Sequence, residues 1–378
     1  MNRRPKAIDL FCGAGGLSEG LCQAGFNIIA ANDSDKHAGS TFRQQHPDTR
    51  FFSGPIESIS VPDILGSLGL AKGELDCLAG GPPCQAFSVY NHQRGLHDYR
   101  SSLFREYLRI VEGLMPKWLV MENVPGMRDI GKGQAITEII HQLNRLGYSV
   151  QTKILKSEEF GVPQERRRLF FVGTNTGNTY FWPRPTHGNG KLNFVNVWDA
   201  ISDLPVLSNG QRGTGSPYLS KPQNSFQREL RRGPKTVYNH DAPRLAQINL
   251  ERMEYISQGG NWTDIPEDLL PNGMRRARRC DHTKRYGRLD PKGLSSTILT
   301  KCDLHWGAFI HPFQDRVLTV REAARIQSFP DCYNFLGPRT EQYVQVGNAV
   351  PVVLARCLGN SILEALKAHS YPKMACAS

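Results

Sequence analysis

The feature that most restricts the fold of this chain is an alternation in its first half between short apolar runs and segments with helical spacing. Ala7 to Phe11, Ile28 to Ala31, Leu75 to Ala79, Trp118 to Met121 and Arg168 to Val172 are each too short for a helix and rich in residues that suit buried strands. Between them Leu17, Leu21 and Cys22 share one helical face, as do Leu103, Tyr107, Leu108 and Val111. Strands and amphipathic helices in this order predict βα units, and hence an α/β, doubly wound, mostly parallel sheet.

The pattern does not persist. From Thr186 to Arg279 Gly, Pro, Asn, Ser and Arg dominate and periodicity fades, which predicts a smaller, loop-rich domain. Helical spacing returns at Val320 to Gln327 and again at Val350 to Leu366. The expected division is therefore an α/β domain over 1–185, a small domain with a hinge over 186–339, and a C-terminal segment, 340–378, that returns to the first domain. With 46 Lys and Arg against 35 Asp and Glu the net charge is +11, which favours an anionic partner such as nucleic acid. Nine cysteines, none in a Cys-x-x-Cys pair, predict neither a disulfide framework nor a zinc site and suit a reducing compartment. No signal peptide and no stretch long enough to span a membrane is read, so no membrane partner is expected.

Three motifs sit where strands end. Asp9-Leu10-Phe11-Cys12-Gly13-Ala14-Gly15-Gly16 runs from a strand into a glycine-rich turn, and Asp33 ends the next strand, where a carboxylate can accept hydrogen bonds from ribose hydroxyls. Gly80-Gly81-Pro82-Pro83-Cys84-Gln85 follows the strand ending at Ala79 and brings a cysteine to the ligand crevice of an open α/β sheet. Most cysteines are inert small hydrophobes, as suits Cys22 and Cys357; prolines before Cys84 and a polar loop after it, 85–100, argue otherwise. Met121-Glu122-Asn123-Val124 places a carboxylate at the same edge, and Gln164, Arg166 and Arg168 alternate on an extended segment, so that the two guanidiniums are expected on one side. Taken singly, Glu122 reads equally well as a strand-end cap, and the arginines as a solvated basic edge.

In order along the chain, Phe11, Gly13 and Gly15, then Pro83-Cys84-Gln85, Glu122-Asn123-Val124, Gln164 to Arg168, and Gly347-Asn348-Ala349-Val350-Pro351 resemble the motifs of the C5-cytosine DNA methyltransferases. The resemblance implies methyl transfer from S-adenosylmethionine to carbon 5 of cytosine in a specific double-stranded DNA sequence, with S-adenosylhomocysteine as product and no metal. It implies that Cys84 attacks carbon 6 as a thiolate, that Glu122 holds or donates a proton at N3, that Arg168 with Arg166 stabilises the oxygen at carbon 2, and that Asn123 anchors the local backbone. A carboxyl doing acid work at neutral pH gains from a raised pKa, so Glu122 is expected in a pocket that closes and dries. The target base must leave the duplex, with Gln85, Ser88, Arg94 and Arg100 closing on the DNA. Phe11, Gly13, Ala14, Gly15, Gly16, Asp33, Ser34, Ile56, Pro82, Leu103, Asn348 and Ala349 are the expected cofactor residues. Two of these positions depart from the family pattern. Gly54-Pro55-Ile56 lacks the aspartate that many members turn to the adenine, and Ser34 stands where some place an aromatic.

The resemblance makes the small domain the reader of the target sequence. The basic cluster Arg275, Arg276, Arg278, Arg279, Lys284, Arg285 and Arg288 is expected to meet the DNA backbone, with Arg275 and Arg276 foremost, and Leu294 to Ile298 to organise the domain. The stretch Arg252 to Pro266 resembles a block found in a branch that includes eukaryotic maintenance-type enzymes. A bacterial, cytoplasmic monomer is expected, with a companion restriction endonuclease. Methylation of transfer RNA by the related fold and a catalytically silent DNA-binding regulator are the rival readings; a methyltransferase for exocyclic amino groups would need no cysteine at position 84.

Overall fold

A computed structural model of the chain describes residues 3–83, 103–278, 280, 283–301, 303–304 and 308–369. They form two compact units, one comprising Met1–Lys156, Arg167–Pro185 and Val352–Ser378, the other Ser157–Arg166 and Thr186–Pro351. The second unit takes in 157–166, expected with the catalytic half, and 340–351, expected with the returning segment, because the helix Arg339–Asn348 packs on Val320–Ile326.

In the first unit the strands are β1 (Lys6–Leu10), β2 (Asn27–Asp33), β3 (Arg50–Ser53), β4 (Cys77–Gly80), β5 (Trp118–Asn123), β6 (Ser149–Lys156) and β8 (Arg167–Thr174), the short β7 (Gln164–Glu165) lying in the second unit. They make one seven-stranded sheet in the order β3-β2-β1-β4-β5-β8-β6. β1 to β5 are parallel, whereas β8 runs antiparallel to both β5 and β6. This is the doubly wound, Rossmann-like α/β sheet that the alternation of apolar runs predicts. Its central strands are buried on both faces, with Leu78, Ala79, Leu119 and Val120 all at 0% exposure.

Helices α1 (Gly16–Ala24), α2 (Lys36–Gln45), α3 (Val61–Leu68), α4 (Leu103–Leu114) and α5 (Gln134–Arg145) supply the crossovers. α4 shows the logic: Phe104, Tyr107, Leu108, Val111 and Leu114 recur at helical spacing and are buried against the sheet, each contributing about 1.5–3 kcal/mol relative to an exposed side chain. The Tyr107 hydroxyl then satisfies the carbonyls of Leu78 and Val120 at 3.1 and 3.2 Å, joining β4 to β5 below their carboxyl ends.

Naming the remaining helices in chain order, α6 (Val197–Ile201), α7 (Ser225–Leu230), α8 (Gln247–Glu254), α9 (Val320–Ile326) and α10 (Arg339–Asn348) belong to the second unit, and α11 (Val352–His369) returns to pack on α1. A Cβ on Gly20 would lie 2.3 Å from Ala355 Cβ and 2.6 Å from the Val352 carbonyl, so the two helices meet at backbone distance. The stretch Arg339–Lys367 is long and apolar enough to cross a bilayer by composition, which corrects the expectation that no segment is. Leu354, Ala355, Leu358 and Ile362 lie wholly inside the protein, however, as in a core helix.

The second unit holds a small apolar core around Met253, Trp262, Ile265, Tyr286 and Ile310. Buried ion pairs supplement it. Arg316 grips Glu322 through two bonds of 2.7 and 2.8 Å, and Arg325 is bound by Asp331 at 2.7 and 2.9 Å and by Asp203. Arg316 holds the Glu322 carboxyl far below its ordinary range despite burial.

Candidate active site

The register of the sheet aligns Leu10 with Gly80, and Gly80 with Met121, so that β1, β4 and β5 end together. β1 is followed on one side by β2 and on the other by β4, which makes this edge the switch point where an open α/β sheet binds its ligand. At the end of β1, Phe11 takes φ 56°, an unusual backbone for a bulky residue, and Gly13 and Gly15 follow at φ 54° and 96°. The chain thus turns sharply into α1. A Cβ on Gly13 would meet no atom within 4 Å, so the turn faces open space. The Gly13 amide donates to Asp33 Oδ2 and the Asp35 amide to Asp33 Oδ1, each at 2.7 Å, which fixes the carboxylate at the end of β2 while leaving lone pairs for further donors. Burial raises the Asp33 pKa from its ordinary value.

Other expected cofactor positions fall around this turn. Ala14, Gly16 and Pro82 are buried, Ser34 is exposed, and Phe11 and Leu103 are half-buried against the core. The Ile56 side chain is 2% exposed and packs inside the core, and its carbonyl accepts from Arg109 at 3.0 Å. Pro55 begins a tight helical turn and Gly54, at φ 112°, bonds Asp33 through its amide at 3.1 Å. The turn that lacks the usual aspartate is therefore still tied beside the ribose-type carboxylate. An open turn, a fixed carboxylate and flanking apolar walls fit a nucleoside.

The carboxyl ends of β4 and β5 carry the second half of the site. Glu122 pairs with Arg168 Nε at 2.8 Å, both side chains 14% exposed. Register explains the meeting: Glu122 lies opposite Phe170 and Asn123 opposite Leu169, which brings the start of β8 beside the end of β5. Burial lowers the Arg168 pKa from its ordinary value, and Glu122 partly restores it. The Asn123 side chain donates to the Pro82 carbonyl at 3.2 Å and accepts from the Val124 amide at 2.9 Å, so it ties the segment leading to Cys84 onto β5. Gly81 is a residue whose role the motif alone did not show: a Cβ there would lie 3.1 Å from Glu122 Oε2. The doubled glycine was the only available signal.

Cys84, Gln85, Ser88, Arg94 and Arg100 lie outside the described residues, as does Arg279. Arg166 does not follow the alternation expected of it. β7 and β8 belong to different sheets, and the Arg166 guanidinium, 1% exposed, donates to the carbonyls of Ile298, Gly347 and Ala349 at 3.2, 2.8 and 3.0 Å. Such a group braces backbone. Asn348 is exposed at the end of α10, with Ala349 half-buried beside it. In the basic cluster Arg275 folds back on the carbonyls of Asp268 and Leu270 at 2.9 and 3.3 Å, and Arg288 is buried against those of Ile256 and Met253 at 2.6 and 2.8 Å. Arg276 is exposed. Among the described residues no cluster of His, Cys, Asp and Glu could hold a metal ion.

The family description C-5 cytosine-specific DNA methylase matches residues 5–364. The chain belongs to that family. It is an enzyme that methylates carbon 5 of cytosine in DNA, and its family draws the methyl group from S-adenosylmethionine. Among its relatives is the type II methyltransferase M.AgeI of Thalassovita gelatinovora, 34% identical over 428 residues that cover 96% of this chain and 100% of the relative. DNA (cytosine-5)-methyltransferase 1B of rice, Oryza sativa subsp. japonica, is 31% identical over 97% of this chain and 28% of its own length. A crystal structure of a DNA modification methyltransferase encoded within a prophage of E. coli superimposes with a TM-score of 0.77 at 25% identity, covering 96% of this chain and 99% of that one. The methylase assignment sets aside the transfer-RNA and silent-regulator readings.

Proposed function

We propose that this methylase acts on a flipped-out cytosine in a specific duplex sequence through a covalent bond from Cys84. The observation that carries the reading is the Glu122–Arg168 pair, held against Gly81 on the segment that leads into Cys84. Carbon 5 of cytosine is a poor nucleophile. Addition of the Cys84 thiolate to carbon 6, with a proton delivered to N3 from Glu122, turns the ring into an enamine nucleophilic at carbon 5. Arg168 stabilises the oxygen at carbon 2, and loss of the carbon 5 proton after alkylation expels the thiolate. Phe11, Gly13, Ala14, Gly15, Gly16, Asp33 and Asn348 hold S-adenosylmethionine, which when bound supplies an electrophilic methyl group. Asn123 fixes the Pro82 backbone and Arg166 braces the turn carrying Asn348. Gln85, Ser88, Arg94 and Arg100 close on the DNA, whose unstacking costs a few kcal/mol.

The second unit reads the target, with Arg276 on the phosphates. The enzyme works as a monomer in a bacterial cytoplasm, beside a companion restriction endonuclease, and the type II designation of its relatives supports only that last part. The test is sequencing of methylated DNA from cells expressing the chain or Cys84→Ala, together with trapping on a duplex bearing 5-fluorocytosine. Wild type should methylate one sequence and form a stable adduct there. Methylation by the Cys84→Ala variant, or no adduct at a site shown to be methylated, refutes covalent catalysis by this residue.

A further inference from the structure

The chain passes between the two units at 156/157, 166/167, 185/186 and 351/352. On the side of the second unit these passages are bonded to one another. The Ser157 amide and hydroxyl both donate to the Arg166 carbonyl at 2.9 Å, the Thr186 and His187 amides donate to the Glu159 carbonyl at 2.8 and 3.0 Å, and Arg166 reaches Gly347 and Ala349. At the centre is a pair of glutamines, Gln164 and Gln327, each at 0% exposure.

Their amides are matched without conflict. Gln164 Oε1 accepts from the Ile298 amide at 2.8 Å and Gln164 Nε2 donates to Gln327 Oε1 at 2.9 Å. Gln327 Nε2 then donates to the Val346 carbonyl at 2.8 Å and the Ala349 carbonyl at 3.3 Å. Each oxygen faces a donor and each nitrogen faces carbonyls. From the other side, a Cβ on Gly347 would lie 2.5 Å from the Leu299 carbonyl oxygen, so the backbone there has no room to shift. The turn Val346–Ala349 is thus clamped on both flanks while the side chain it carries, Asn348, stays exposed.

We infer that Gln327 is a positioning residue for the cofactor, acting through the turn that presents Asn348. The inference rests on the proposed role of Asn348. A methionine at 327 keeps the length and removes both hydrogen-bonding ends, so Val346 O keeps only the longer bond from the Ala349 amide at 3.3 Å, Gln164 Nε2 only the Ile326 carbonyl at 3.4 Å, and the turn is loosened. Binding that depends on a preorganised Asn348 then weakens, although Gln327 itself touches no ligand.

The test is calorimetric binding of S-adenosylhomocysteine to the full chain, which needs no turnover. Gln327→Met should weaken binding about tenfold, the equivalent of one buried hydrogen bond, and Asn348→Ala by a similar factor. The double variant should bind no worse than Asn348→Ala alone, because the two changes act through one contact. Duplex affinity without cofactor should stay within about twofold, as for sites that do not share partners. Should Gln327→Met fail to fold, Gln164→Met, which removes the partner that orients the Gln327 amide, should weaken binding about threefold under the same logic. Weakening by Asn348→Ala with none by Gln327→Met or Gln164→Met overturns the positioning role alone. Additive losses in the double variant overturn it as well, since they would mark a general packing defect. No effect of Asn348→Ala removes the cofactor role of Asn348 and the inference with it.

Discussion

Gly81→Ala is expected to slow methyl transfer without unfolding the enzyme. Gly81 is not among the residues with positive φ, so alanine can adopt its backbone. The added Cβ would meet Glu122 Oε2 at 3.1 Å, a contact that forces the carboxylate to give by a few tenths of an ångström. Glu122 cannot move alone, because Arg168 holds it at 2.8 Å and the two shift together. A misplacement of about 1 Å at a reacting group costs about a hundredfold in rate, so a third of that, scaled logarithmically, gives about fivefold. Initial rates at saturating DNA and cofactor measure the loss, and a thermal melt should stay within about 2 °C of wild type. In a Glu122→Gln background, where the carboxylate no longer serves as acid, the same substitution should add little. An unchanged rate, or a full additional fivefold loss in that background, refutes the argument that Gly81 acts through Glu122.

Three other outcomes follow from the geometry. The Asp9 carboxyl, wholly buried and bonded to Ser18 at 2.6 Å with its other oxygen lacking a partner among the described residues, is pushed up to about 7, chiefly by burial and also by Asp33. Unfolded chains release that proton near 3.9, so the native state holds an extra proton between roughly pH 4 and 7 and stability falls as pH rises through that window; denaturant titrations should show this slope flattened in Asp9→Asn, and identical slopes would refute it. Arg325→Met removes the guanidinium shared by Asp203 and Asp331, leaving Asp203 to Arg231 and Asp331 to the Tyr218 hydroxyl and the more distant Arg321, and should destabilise by about 3 kcal/mol in urea unfolding, a loss under about 1 kcal/mol counting against the buried ion network. Arg276→Gln should weaken cognate and scrambled duplexes alike and reduce the salt slope of log affinity by about one, whereas Arg275→Gln should leave that slope unchanged because its guanidinium is bound to carbonyls.

Much of the first unit is legible in the sequence because burial on both faces writes itself as continuous apolar runs, and β1, β4 and β5 announce themselves that way. β6 does not: Ser149–Lys156 alternates exposed and half-buried residues at the sheet's edge, and β3 is only four residues long. The direction of β8 was equally hidden, since an apolar run says nothing about which way the strand points. In the second unit charge misled. Arg166 and Arg288 read as basic surface, yet both are buried and serve backbone carbonyls, because in a region poor in apolar residues guanidiniums help to fill the interior, whereas Arg275 stays exposed while bonding the carbonyls of its own turn. The Glu122–Arg168 contact could be suspected from the motifs, but the Gly81 clearance and the Gln164–Gln327 pair depend on tertiary register that no local pattern encodes.

The meeting of α1 and α11 has a consequence for biosynthesis. Gly20 and Gly359 bring the two helices to backbone distance, yet more than three hundred residues separate them along the chain. At a ribosomal pace of about 5–20 residues per second, the inner face of α1 waits on the order of tens of seconds for its cover. During that interval the nascent enzyme carries an unsealed apolar surface along α1. Modification of the genome can therefore begin only when translation has reached the last helix, and messages cut short before Val352 should yield aggregation-prone, inactive fragments and no partially active methylase.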